Sequence, residues 1–99
     1  MNLRKLAQGQ DCQVRLAGIC NGDPETVVLA HYRLAGTCGT GIKPPDELGC
    51  PACSRCHDIC DGRVPRPKWL SRVDVLLAFA EGVLRWTYLR VTGKLGVMK

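Results

Sequence analysis

Apolar positions along the chain fall into three patterned stretches separated by glycine- and proline-rich punctuation. Thr26-Val27-Val28-Leu29-Ala30-His31-Tyr32 is β-branched and apolar, which predicts a short strand with His31 near its end. The turn cluster Asn21-Gly22-Asp23-Pro24 comes before it. Gly36 to Pro45 follows, and its glycines, threonines and paired prolines exclude helix and central strand, leaving a long loop. A short helix is predicted from Ala52 or Cys53 to Asp61, with Pro51 near its start and Gly62 as its stop. The third stretch, Trp69 to about Val91, predicts a long helix ended by Gly93. Its stripe of Leu70, Val73, Leu77, Ala80, Leu84 and Tyr88 is expected to face the core. Leu76, Phe79, Val83 and Trp86 widen the apolar surface and leave a dimer contact open beside a monomer. Met1 to Asp23 reads as a basic arm and an irregular stretch, and Lys94 to Lys99 as a small edge strand.

Size then limits what this pattern can bury. The 99 residues suffice for one domain, with residues 1–62 as core, 63–68 as basic linker and 69–99 as helix and tail. A domain this small has a marginal hydrophobic core. One phenylalanine, two tyrosines and two tryptophans add little to it, whereas seven cysteines offer another source of cohesion. The most apolar run, Val73 to Leu84, is too short for a bilayer span and is broken by Asp74 and Glu81. Met1 to Gln10 lacks the apolar segment of a leader. The expectation is a cytoplasmic protein with no membrane partner, and in that compartment cysteines serve metal more often than disulfides. The odd cysteine count argues the same way.

Structural zinc takes four ligands in a tetrahedron, and a Cys-x-x-Cys pair at a helix start supplies two. Cys53 and Cys56 fit, with Cys12 and Cys20 as the second pair. Cys50-x-x-Cys53 is a rival register of the same spacing, and Cys60 and Cys38 are spare candidates whose plain role is that of small apolar residues. Only two histidines exist. His57 follows Cys56 directly, so on a helix it points about 100° away from that cysteine and toward a second site. The plainer roles are His57 as a zinc ligand and His31 as a half-buried strand residue.

The order of these parts resembles the HNH-type (ββα-metal, treble-clef) nucleases, and more narrowly the YbcO family of lambdoid prophages. The resemblance is carried by Cys12-Gln13-Val14-Arg15, Gly18-Ile19-Cys20-Asn21-Gly22, Pro24-Glu25-Thr26 and Leu29-Ala30-His31. It continues through Cys38-Gly39-Thr40-Gly41, Lys43-Pro44-Pro45-Asp46, Ala52-Cys53-Ser54 and Cys56-His57-Asp58, covering about residues 3–62. It implies an α+β, zinc-stabilised ββα-metal domain carrying a long C-terminal helix. It implies further that His31 is a general base, which suits histidine chemistry near neutral pH. His57 becomes the ligand of a catalytic divalent cation such as Mg²⁺, Mn²⁺ or Ni²⁺. Two positions depart from the pattern. Ala30 stands where many such sites have a second metal ligand, leaving Asp58 or Asp61 to assist, and Asp46 falls roughly where the motif has asparagine.

A net charge of +5 leans toward a polyanionic partner. Arg63, Arg66, Lys68 and Arg72 follow the site helix with no acidic residue among them, and Arg55 lies between its cysteines. These are the expected contacts to nucleic acid, in the first instance DNA, of a sequence-independent and salt-sensitive kind. The expected function is metal-dependent hydrolysis of DNA phosphodiesters in the cytoplasm of a phage's host. The alternative is a non-catalytic zinc module that binds nucleic acid or a protein.

Overall fold

The computed structural model describes residues 2–95 and has the order α1 (Leu3–Ala7), β1 (Val28–His31), β2 (Gly49–Ala52), α2 (Ser54–Asp61) and α3 (Arg72–Val91). This is a small α+β architecture with a two-stranded sheet and a long C-terminal helix. The expected arm is in part a helix: Asn2 caps α1 by accepting from the Lys5 N–H at 3.2 Å. Leu3 and Ala7, one turn apart, are both buried, and α1 packs on β1. Five residues carry too little periodicity to announce a helix in sequence. The predicted edge strand falls partly outside the described residues, and Lys94 and Leu95 form no strand.

β1 and β2 pair antiparallel in the register Val28 with Ala52, Leu29 with Pro51, Ala30 with Cys50 and His31 with Gly49. Pro51 therefore lies inside a strand, where the sequence suggested a helix start. The register tolerates it. Tyr32 N–H donates to Leu48 O at 3.1 Å, so bonded pairs fall at every second position and Pro51 points its missing N–H away from β1. Gly49 is demanded by a close approach, since a Cβ there would lie 2.5 Å from the Ala30 carbonyl oxygen. β1 thus ends at His31 against a partner that has no side chain.

α2 begins at Cys53, whose Sγ accepts from the Cys56 N–H at 3.4 Å. It ends at Gly62, which adopts φ +74° and donates to the Asp58 and Ile59 carbonyls. That left-handed cap is the stop the sequence implied. α3 starts at Arg72, three residues later than expected, because Ser71 caps it by accepting from Asp74 N–H at 3.0 Å.

The core face of α3 differs from the expected stripe. Val75, Phe79, Gly82, Trp86 and Leu89 are buried, whereas Val73, Leu77, Leu84 and Tyr88 are exposed, Leu84 to 69%. Leu70 is buried, but it precedes the helix. Both faces of α3 are apolar, so periodicity alone fits either. Gly82 decides between them: a Cβ there would sit 2.8 Å from the Gln13 carbonyl oxygen and 3.1 Å from Cys50 Sγ. Only the glycine-bearing face lets α3 approach this close. Arg85 fastens the contact by donating to the same Gln13 carbonyl at 2.7 Å.

Candidate functional site

Three segments converge on a sulfur cage of four cysteines. Gln13 N–H donates to Pro51 O at 2.8 Å, which hangs the Cys12 segment on β2. Cys20 closes a turn in which its N–H reaches Leu16 O at 2.9 Å. Cys53 and Cys56 stand at the cap and in the first turn of α2. The Sγ atoms of Cys12, Cys20, Cys53 and Cys56 all lie within 4.8 Å of one another. A tetrahedral zinc with Zn–S bonds of about 2.3 Å requires sulfurs about 3.8 Å apart. The Cys53 and Cys20 sulfurs are 3.8 Å apart.

Three of these thiols depart from the ordinary value, and in opposite directions. The hydrogen bond with Cys56 pulls the Cys12 thiol down to about 4, while burial pushes Cys20 up to about 11. Cys56 is raised by sharing a proton with Cys12 and by burial. Four thiols that lose their protons on binding a cation are a soft donor set that suits zinc. The residues fit a structural zinc ion. Cys50 is fully buried against α3, and burial pushes Cys60 up to about 12, so both behave as core thiols. Cys38 lies in the glycine loop, its thiol facing the Leu34 carbonyl at 3.8 Å.

The two histidines line one cleft of about 310 Å³ on the other side of α2's first turn. His31 Nε2 is 2.7 Å from Asp46 Oδ1, and Arg4 Nε donates to the same oxygen at 3.3 Å. Asp46 opens the short 3₁₀ turn Asp46–Leu48 that leads into β2. Its carboxyl is held below the usual carboxylate range by the His31 hydrogen bond and then by Arg4. An ionised Asp46 can only accept, so His31 Nε2 carries the proton toward it and Nδ1 is the nitrogen left to accept one.

His57 Nε2 lies 3.0 Å from Asp61 Oδ2, one helical turn further along α2. Arg63 donates to that oxygen at 3.1 Å and reaches Asp58 at 3.4 Å. Of the two candidate acids, Asp61 is the one beside His57. Adjacent ligands of an octahedral cation bound at about 2.1 Å stand about 3.0 Å apart, so this pair fits two corners of such a sphere. Ala30, fully buried, offers no third.

Arg4, Arg33, Lys43 and Arg63 rim the cleft, against the single carboxylate of Asp61 among its lining residues. Of the basic residues expected to meet nucleic acid, Arg63 is at this rim. Arg66 lines the adjoining groove and donates to Leu70 O at 2.8 Å. Arg55 sits on a separate hollow with Ile19 and Pro67, and Lys68 is exposed in the linker. Arg4, Arg33 and Lys43 were not expected at the site. They come from α1, from the residues after β1 and from the glycine loop, so no run of charge marks them in sequence.

Fold and site together define a cysteine-caged ββα domain with a cation-rimmed histidine cleft. The chain belongs to the YbcO family: residues 1–96 match the family described as "Putative nuclease YbcO". It is 63% identical over 62 residues to "Putative nuclease YbcO" of Escherichia coli K12 and to "Putative nuclease ybcO" of Enterobacteria phage 82. Those matches cover 63% of this chain and 65% of each relative, just under two-thirds of their length. It is also similar to the solved "Structure of a putative bacteriophage protein from Escherichia coli str. K-12 substr. MG1655". That likeness has a TM-score of 0.74 and 38% identity, covering 93% of this chain and 99% of the other. Among the described residues, no helix is long and apolar enough to cross a membrane.

Proposed function

We propose that this chain is a metal-dependent endonuclease of the HNH type that hydrolyses DNA phosphodiester bonds. The observation that carries the reading is the pair of histidine–carboxylate couples, His31 with Asp46 and His57 with Asp61, beside one cleft rimmed by four cations. The nuclease names of the relatives from E. coli and phage 82 support it.

His31 acts as general base. Its Nε2–H is held by Asp46, which fixes the ring and stabilises the imidazolium formed when Nδ1 takes a proton from water. Arg4, on the same oxygen, keeps Asp46 ionised for that role. His57 and Asp61 are the nitrogen and oxygen donors for a divalent cation such as Mg²⁺, Mn²⁺ or Ni²⁺. When bound, such a cation neutralises charge on the phosphate and on the leaving oxygen. Arg33, Lys43 and Arg63 hold the flanking backbone, and Arg55, Arg66 and Lys68 extend the basic surface, so binding is salt-sensitive and indifferent to base sequence. The zinc at Cys12, Cys20, Cys53 and Cys56 is structural, and the site works in the host cytoplasm, where thiols stay reduced.

A second reading, a zinc module that binds nucleic acid or protein without cutting, is favoured by one observation. Ala30 supplies no ligand beside His31, so the cation has two protein donors in place of three. Plasmid cleavage decides between them. Zinc-loaded protein is assayed with added Mg²⁺, Mn²⁺ or Ni²⁺, beside His31→Ala and His57→Ala proteins of equal zinc content. Cleavage that depends on the added metal and falls roughly 10²-fold or more in both variants supports the nuclease. Absence of cleavage with every metal, or variants that cut like the parent, leaves the binding module.

A further inference from the structure

His31 walls two hollows. Beyond the cleft it borders a groove of about 410 Å³ running between the end of α2, the basic linker and the start of α3. The two hollows differ in character. The cleft is polar and suits a phosphate. The groove has an apolar floor that includes half-buried Tyr32. Phe79 braces that ring edge-on, with centroids 5.1 Å apart and planes at 66°. Leu76 and Val64 stand partly exposed beside it.

Three guanidiniums, Arg33, Arg66 and Arg72, border this floor. The one carboxylate at the groove, Asp61, is already engaged by His57 and Arg63. Positive charge around an apolar, ring-bearing floor complements a nucleotide whose base is out of its stack: the base meets the floor, and its phosphates meet the rim. A base inside a duplex presents only its edge and cannot lie on such a floor. The groove opens at the candidate base, so its occupant neighbours the phosphate that is cut.

We infer that this groove receives one unpaired nucleotide of the substrate strand, so that the preferred substrate is single-stranded or locally opened nucleic acid. The inference rests on the nuclease reading for the identity of the cleft. Arg33 serves both hollows and bridges consecutive phosphates of the same strand. Leu76 and Arg72 set the preference without contacting the histidines' carboxylate partners.

The test measures fluorescence anisotropy with zinc-loaded protein and no other divalent cation. The probes are a labelled oligothymidylate, an abasic deoxyribose-phosphate strand of the same length, and a duplex. Charge alone favours the duplex, which has the denser phosphates. The expected result is the reverse, with oligothymidylate bound roughly five- to tenfold tighter than either control. Leu76→Glu, which places a carboxylate on the floor, and Arg72→Gln each reduce that preference while zinc content is retained. Equal binding of thymidylate and abasic strands, a duplex bound as tightly, no binding, or a preference that survives both variants overturns the inference. Cleavage by the parent of both plasmid and the labelled oligothymidylate, with Mg²⁺, Mn²⁺ or Ni²⁺ added, separates the two readings. Cleavage without the strand preference removes the groove alone, whereas the preference without cleavage keeps the groove and removes the hydrolysis.

Discussion

Asp46 receives two cationic or proton-bearing partners on one oxygen, His31 at 2.7 Å and Arg4 at 3.3 Å. The residue fixes which histidine nitrogen is free, so its value to the site is orientation as well as charge. Asp46→Asn keeps the shape but offers no anion and can turn an N–H toward His31. Cleavage is expected to fall at least about tenfold with zinc content unchanged, measured by plasmid nicking beside metal analysis. An unchanged rate would remove Asp46 from the machinery. The sign of its pH effect follows from the direction of its shift. A carboxyl held below its unfolded value stabilises the fold above that value, and the contribution is lost only as pH falls through the depressed one. Across the neutral range Asp46 is ionised throughout and adds no pH dependence of its own.

At the scale of elements, the two faces of α3 make opposite predictions. Phe79→Ala opens a cavity under Tyr32 and is expected to destabilise by about 3–5 kcal/mol. Leu84→Lys, on the exposed face, is expected to change stability by no more than about 0.5 kcal/mol. Gly82→Ala would gain helix propensity in a free helix, yet its methyl would meet the Gln13 carbonyl, and the expected net loss is about 1–3 kcal/mol. Thermal melts of the three proteins check the set, and a large loss in Leu84→Lys would reverse the face assignment. The difference between these faces explains what the sequence could and could not disclose. β1 and α2 were legible because their signals are local: β-branched residues, a cysteine cap and the glycine stop at Gly62. β2 was hidden by Pro51, which forbids a bonded strand position but not the unbonded one the register provides. The face of α3 was hidden because it depends on a carbonyl near the opposite end of the chain, a contact no periodicity records. The cysteine quartet could be picked from spacing as the best of rival sets. Asp46 could be placed only roughly at the motif's asparagine and not as the partner of His31, and of the cleft's cations Arg4, Arg33 and Lys43 could not be placed at all.

Over the whole molecule, the sulfur cage joins the irregular N-terminal segment to α2, beside the hydrogen bonds that Gln13 makes with Pro51 and Arg85. Few aromatic residues share that role. Trp86, on the inner face of α3, is fully buried, and Phe79 and Tyr32 make the one close ring pair among the described residues. Removal of zinc by a chelator is therefore expected to unfold the domain cooperatively, seen as loss of helical circular dichroism with release of close to one zinc per chain. Cys53→Ala should behave like the stripped protein because it removes both a ligand and the cap of α2. Retention of a sharp melt after complete zinc loss would show that the hydrophobic core suffices. The spacing of the cage also sets an order of events on the ribosome. Cys20 emerges 33 residues before Cys53, so a metal that takes all four cysteines has to wait until the start of α2 is made. Closing that loop has a modest entropic cost that bound metal can offset. α3, synthesised last, then lays Gly82 over the Gln13 carbonyl. A nascent chain halted before α3 would lack the helix that covers the Gln13 carbonyl and Cys50, so its core would stay bare until the last element is made.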